Sequence, residues 1–264
     1  MARRWAILGP VSFLYRVLAL VLPLLPKRAA EAVANGTVRL LLGPFRSQRI
    51  TKMRTLLGSL GSDKRQYKRI DEAHLHFYAR IIAESISLPN VSKGVYLSQV
   101  TLCGKAHLDK ALARGRGALL ITDHVGNWMM SATALPMHGY RLSAAAYEIP
   151  IPSIQRQMEI IAQRFGIQVY HVGKGVPWAA RRVFERNEVL LIVYEMSVRP
   201  GQSVWFQLGN GFLPVDIGPA LLALKFCVPI LLLTNAAGPH GSTHLEILPE
   251  LDVLPGTNAC ALTR

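Results

Sequence analysis

Cysteine is scarce, with Cys103, Cys227 and Cys260 widely spaced and odd in number. They form neither a zinc-ligand pattern nor a disulfide framework, so reduced thiols in a cytosol-facing protein are the simplest expectation. The histidines show no ligand spacing either, and no metal site is expected. A glycine-rich phosphate loop is missing, Gly173-Lys174-Gly175 being too short to act as one. So is a Gly-x-Ser-x-Gly elbow, which argues against a covalent serine hydrolase. Internal repeats and low-complexity tracts are absent. Acidic residues are few: 16 Asp and Glu stand against 30 Lys and Arg, a formal charge of +14.

That imbalance points to an anionic partner, whether nucleic acid, an anionic membrane surface or phosphorylated substrates. With 50% hydrophobic residues and a mean hydropathy of +0.25, the chain favours the membrane. Its basic residues are mostly scattered, with clusters such as Lys64-Arg65 and Lys68-Arg69, and do not interleave with aromatics. Nucleic acid is therefore not the expected partner. The apolar run from Ile7 to Leu25 is followed by Lys27-Arg28, where a signal peptide would carry a small-residue cleavage site. Pro10, Arg16 and Pro23 interrupt it, which leaves two readings: a flawed transmembrane helix, or a helix lying in the interface with Trp5 and Tyr15 at headgroup level.

Helical periodicity continues over 29–60 and 71–86, with Pro89 ending the second stretch. Beyond Gly104 the pattern alternates. Short apolar runs at 117–122, 141–147, 167–172, 189–194, 228–234 and 244–248 predict strands. Segments 107–113, 128–137, 153–165, 177–186 and 218–226 predict helices between them. The expected fold class is α/β, a mainly parallel central sheet with helices on both faces, preceded by a membrane-seeking helical segment. Residues 1–60 form the expected membrane-associating region, and 61–264 the α/β domain.

The most informative stretch is Leu119-Leu120-Ile121-Thr122-Asp123-His124-Val125-Gly126-Asn127-Trp128-Met129. An apolar strand ends in a histidine, a glycine turn and the start of a helix. An imidazole at the mouth of a sheet is placed to act as a general base towards a bound hydroxyl. Asn127 suits either of two roles, lending its backbone N–H to an oxyanion or capping the helix with its side chain. Glu195 follows the apolar run Val189–Tyr194, and a carboxylate at the carboxyl end of a parallel strand faces the usual ligand crevice. A helix cap or an ion pair with Arg199 explains it equally well. Arg164 is either a phosphate contact or a residue of a helix C-terminal turn.

His124-Val125-Gly126-Asn127-Trp128, the lead-in Leu108–Gly117, Arg164-Phe165-Gly166, Val204-Trp205-Phe206 through Gly209, and Gly218–Ala223 fall in an order that resembles the lysophospholipid acyltransferase superfamily. The similarity is to its bacterial late lipid A acyltransferase branch. The resemblance implies a membrane-associated enzyme that moves a fatty acyl group from an acyl thioester to a hydroxyl or amine of a lipid or amphiphilic acceptor. The donor would be acyl-carrier protein or acyl-CoA, with no tightly bound cofactor. It implies His124 as general base, with Gly126, Asn127, Arg164 and Gly209 as substrate-binding positions. The 204–209 and 218–223 segments would shape the acyl pocket. An anionic membrane and acyl-carrier protein are the expected partners, and the cytoplasmic face of the inner membrane the expected location. Relatives typically continue past the equivalent of Pro249-Glu250-Leu251, so the end at Arg264 implies a truncation or a missing lid.

One position departs. Family members carry Glu or Asp where this chain has Met129, and a thioether neither orients an imidazole nor stabilises its protonated form. Three readings stand: Asp123, Glu148 or Glu195 replaces that carboxylate; activity is reduced or altered; or the chain is a lipid-binding or scaffold protein that retains the acyltransferase fold.

Overall fold

The structure, a computed structural model, describes residues 2–58, 64–173, 175–195, 201–238 and 242–251. They group into two compact units: Met1–Val91 with Ile149–Ile161 and Trp205–Leu213, and Ser92–Glu148 with Ala162–Val204 and Pro214–Arg264.

The first unit is built on helices α1 (Ala2–Val21), α2 (Lys27–Leu42), α3 (Arg46–Leu57) and α4 (Lys64–Ser87). The single helical stretch expected over 29–60 is divided by a 3₁₀ turn at Gly43–Phe45, because Pro44 offers no N–H to continue the ladder. Residues 59 and 60 lie outside the described residues. Ala30, Ala34 and Val38 of α2 recur every four residues and face Leu75, Ala79, Ala83 and Ile86 of α4, with Tyr15, Leu18 and Leu22 completing the cluster. The alanines let the two backbones approach closely. Outside this core, Phe13, Leu20, Leu24, Leu40 and Phe45 are all more than half exposed. Among the described residues no helix is long and apolar enough to cross a membrane.

Asp71 is fully buried within this unit and accepts a two-pronged contact from Arg49, Nε at 2.7 Å and Nη2 at 3.2 Å. Arg46 Nε reaches the same carboxylate at 3.5 Å. The pair fastens α3 to α4.

The second unit carries a seven-stranded sheet in the order β1-β9-β8-β2-β5-β3-β4. Its strands are β1 (Val100–Cys103), β2 (Ala118–Thr122), β3 (Leu142–Ala146), β4 (Gln168–His171), β5 (Val189–Val193), β8 (Ile230–Ala237) and β9 (Thr243–Ile247). Every pairing is parallel except β8 with β9. The helices of this unit are α5 (Lys93–Gln99), α6 (Lys105–Leu112), α7 (Trp128–Met137), α9 (Val176–Glu185) and α10 (Gly218–Phe226), while α8 (Pro152–Phe165) belongs to the first unit as far as Ile161. Leu119, Leu190 and Ala145 cluster with Val183 and Phe184 of α9 and Leu222 of α10. Side chains alternate across a strand, so Leu120, Leu191 and Leu231 point to the opposite face, where they are buried as well. Helices α6 and α7 contact strands of this sheet. Both faces are covered, which is why these strands read as continuous apolar runs instead of alternating ones.

Three strands were not anticipated: β1, at one edge of the sheet, and β6 (Ser203–Leu208) and β7 (Gly211–Asp216), which form a separate two-stranded hairpin. Cys103 is a free, half-buried thiol, and Cys260 lies outside the described residues.

Removing one partner of a buried ion pair strands the other charge, at a cost of roughly 3–5 kcal/mol. Because Arg49 keeps some solvent contact, we expect Asp71→Ala to cost about 3 kcal/mol, the lower end of that range. Glu72→Ala breaks only the exposed pair with Arg46 and is expected to cost no more than about 1 kcal/mol. Denaturant midpoints of the two variants test the contrast.

Candidate active site

Strand register builds the site. In the β2–β5 pairing Thr122 lies opposite Val193; in the β2–β8 pairing Ile121 lies opposite Leu232. Carried two or three residues past these rungs, the three parallel strands deliver His124, Glu195 and Asn235 side by side at their carboxyl ends.

The contacts follow. His124 Nδ1 lies 2.9 Å from Glu195 Oε1 and 3.0 Å from Oε2. The backbone N–H of His124 donates to Glu195 Oε1 at 2.7 Å. An ionised carboxylate only accepts, so Nδ1 carries the proton and Nε2 presents its lone pair. The Glu195 side chain is 9% exposed and the His124 side chain 44%: the carboxylate is enclosed while the ring remains accessible. Trp128 stands edge-on to the imidazole, with ring centroids 6.0 Å apart.

This arrangement stabilises the charged forms of both partners. The hydrogen bond from Glu195 raises the His124 pKa above the usual imidazole value, against the opposing effect of partial burial. Burial alone pushes Glu195 up, but the His124 ring and backbone N–H outweigh it and bring that carboxyl below its usual range.

Asp123 does not orient the ring. Its Oδ1 accepts the Val125 N–H at 3.1 Å and fixes the turn; burial pushes its carboxyl up, and the nearby Glu195 charge adds to that. Glu148 is exposed beyond the end of β3. Met129 is buried in α7. Of the three carboxylates offered as replacements, Glu195 is the one that bonds the imidazole. Arg199 lies outside the described residues.

Gly126 and Asn127 form the turn into α7. Asn127 is the N-cap, its Oδ1 accepting the Met129 N–H at 3.1 Å. Gly126 sits at φ +69°, and a Cβ there would come within 2.3 Å of Asn235 Oδ1. Asn235 is 5% exposed and donates to Asn127 O at 2.7 Å and to Ser131 Oγ at 3.0 Å. It is the residue that sequence reasoning missed. The one available signal was an amide ending the apolar run Ile230–Thr234, and its value depends on the register.

The remaining expected positions lie elsewhere. Arg164 is on the last turn of α8, which leads into the start of β4, the opposite sheet edge from His124. An open cavity of about 470 Å³, lined by Tyr140, Arg141, Gln168, Tyr170, Arg186 and Glu188 among others, occupies that opposite edge and includes none of the residues around His124. Gly209 is in the β6–β7 turn, where φ is +58° and a Cβ would come within 2.2 Å of Leu56 O; close backbone approach accounts for this glycine. Among the described residues, no group of three His, Cys, Asp or Glu is placed to hold a metal ion.

Comparison with known proteins identifies the family. The family described as bacterial lipid A biosynthesis acyltransferase matches residues 2–263. A phosphatidylinositol mannoside acyltransferase of Mycolicibacterium smegmatis is 29% identical over 157 residues, covering 58% of this chain and 51% of that protein. The protein of the same name from Mycobacterium tuberculosis H37Rv is 28% identical over 198 residues, covering 73% of this chain and 61% of that protein. The chain thus spans only about half to three fifths of the length of these curated relatives.

Two outcomes are expected. Glu195→Gln removes the anionic partner, so the His124 imidazole pKa, followed by NMR titration, falls towards its ordinary value. Gly126→Ala destabilises by about 1–2 kcal/mol from its backbone conformation, plus the collision with Asn235. Pairing it with Asn235→Ala relieves the collision but not the backbone cost, so a double-mutant cycle shows coupling between the two.

Proposed function

This chain belongs to the bacterial lipid A biosynthesis acyltransferase family, and we propose that it transfers a fatty acyl group from an acyl thioester to a hydroxyl of a lipid acceptor. The observation that carries the reading is the Glu195 carboxylate within 3.0 Å of His124 Nδ1. It supplies, from a neighbouring strand, the group that Met129 cannot. That contact favours a working base over a vestigial lipid-binding site.

In the proposed reaction His124 Nε2 accepts the acceptor hydroxyl proton as its oxygen attacks the thioester carbonyl. Glu195 holds the ring in the required tautomer and stabilises the imidazolium that forms. Backbone N–H groups at the Gly126–Asn127 opening of α7 face the charge developing on the carbonyl oxygen. Collapse breaks the carbon–sulfur bond, and the imidazolium returns its proton to the departing thiolate.

The donor is acyl-carrier protein or acyl-CoA; the net charge of +14 suits docking of an acidic carrier as well as an anionic bilayer. Phosphatidylinositol mannoside is the acceptor to test first, since the curated relatives carry that name. Attachment at the cytoplasmic face of the inner membrane fits the exposed apolar side chains of the helical unit and the basic excess.

Labelled thioester donors, each paired with a panel of lipid acceptors, test the reading. His124→Ala should abolish transfer, and Glu195→Gln should lower kcat by up to about 10⁴, as loss of the orienting carboxylate does in a triad. A general base works unprotonated, so activity falls as pH drops through the raised His124 pKa; in Glu195→Gln this acid limb moves to lower pH. Transfer that survives in His124→Ala sinks the assignment.

A further inference from the structure

The β6–β7 hairpin forms its own two-stranded sheet; its base is bridged antiparallel through Val215 to Glu195, and its tip, Trp205–Leu213, belongs to the helical unit. There its turn is seated on the end of α3. Asn210 N–H donates to Leu56 O at 2.8 Å, and Gly209 and Gly211 lie so close to Leu56 that a Cβ on either would collide with it. The turn of the tip is therefore fixed against the end of α3. Beyond that support it is bare: Trp205 is 54% exposed, Phe206 56%, Leu208 56% and Phe212 66%. Successive side chains of a strand point to opposite faces, so adjacent Trp205 and Phe206 make both faces of the ribbon apolar and open. No charged residue occurs from Ser203 to Val215. An exposed apolar cluster of this kind marks an interaction site.

Charge indicates what covers it. Helix α3 contains Arg46, Arg49, Lys52 and Arg54 and no acidic residue. Arg46 and Arg49 are engaged by Asp71 and Glu72, whereas Lys52 and Arg54 are exposed. A Trp- and Phe-bearing ribbon mounted on a helix with outward cations matches the interface of an anionic bilayer: aromatic rings favour headgroup level, and nearby cations are attracted to the anionic surface. Depth is limited by the backbone. A two-stranded ribbon keeps open edges whose N–H and C=O groups are too costly to place in hydrocarbon, so it rests at the headgroup–acyl boundary.

We propose that the hairpin tip Trp205–Leu213, with Lys52 and Arg54 of α3, is a docking finger that inserts into the interface of an anionic membrane. The inference deepens, and rests on, the reading of the chain as a membrane-associated lipid acyltransferase, and it assigns the membrane contact to a segment distant in sequence from the N-terminal helix.

The test is co-sedimentation of the full chain with vesicles of phosphatidylcholine alone or mixed with phosphatidylglycerol. Wild type should bind the mixed vesicles and release at high salt. Trp205→Ser/Phe206→Ser and Lys52→Glu/Arg54→Glu should each weaken partitioning about tenfold or more, with circular dichroism and thermal unfolding unchanged; the single variant Phe212→Ser is the fallback if the first double variant is unstable. Bromine placed near the lipid ester should quench wild-type tryptophan emission more than that of Trp205→Phe. Equal binding by wild type and all variants overturns the proposal, as does a loss of self-association in the hairpin variants with vesicle binding intact, which would make a second copy the occupant. Loss of transfer to detergent-dispersed acceptor in the hairpin variants, with vesicle binding unchanged, would make the tip an acyl-pocket wall and also overturns it. Wild-type transfer to dispersed acceptor without vesicle binding sinks the finger and leaves the transferase; finger-dependent vesicle binding without transfer from any donor does the reverse.

Discussion

The site depends on the register of three parallel strands. With β2 central, pairing Thr122 to Val193 on one side and Ile121 to Leu232 on the other makes the neighbours of His124 a matter of counting. A slip of one residue would reverse every side chain of the displaced strand: Glu195 would turn away from the ring, and the alternating residues that cover both faces would exchange places. Burial of Leu119, Leu120, Leu190, Leu191 and Leu231, all at most 5% exposed, resists that slip from both sides of the sheet. The apolar core thus sets the hydrogen-bond geometry at its rim, and Thr122 ties the same strands again through Oγ1 to Leu233 O at 2.9 Å.

A carboxylate's origin matters less to an imidazole than its distance and enclosure. On α7, position 129 lies five residues downstream of the histidine and here turns its methionine into the core. Glu195 reaches the ring from a neighbouring strand, and it also accepts the backbone N–H of the same residue. That second bond constrains main chain and side chain together, so the ring is oriented by a closed two-point contact. The cost of enclosing a carboxylate is offset by these charge-assisted bonds, which is why Glu195 remains ionised although it is nearly buried. On the other flank Asn235 holds the turn through Asn127 O and Ser131 Oγ, in the space that Gly126 leaves vacant. Glu195 and Asn235 therefore brace opposite sides of one loop.

The sequence made the α/β alternation readable because a sheet covered on both faces must be written as short, uninterrupted apolar runs, and Val189–Val193 or Ala118–Thr122 stand out for that reason. His124, Gly126 and Asn127 were legible because turn and cap chemistry is local. The partner of His124 was not determined by the sequence. Asp123, Glu148 and Glu195 are all compatible with local rules, and only strand order, which puts β5 beside β2, separates them. Asn235 was hidden for the same reason. In the hairpin, Val204–Leu208 is apolar on both faces like the buried strands, yet it is exposed, so its pattern does not report its burial.

The exposed apolar side chains bear on function as well. A catalyst for soluble substrates gains nothing by displaying Phe13, Leu20, Leu24, Leu40, Phe45, Trp205 and Phe212 to water, and each such side chain forgoes about 1.5–3 kcal/mol of burial. Within the helical unit, Asp71 is spent internally on Arg49, and from Lys27 to Gly58 Glu31 is the only acidic residue among seven Lys and Arg. The unit therefore presents apolar side chains and uncompensated positive charge together, the two properties that a lipid headgroup layer accommodates and bulk water does not. On the proposed membrane-docked reading, an acyl acceptor that resides in that layer would reach the protein by lateral diffusion.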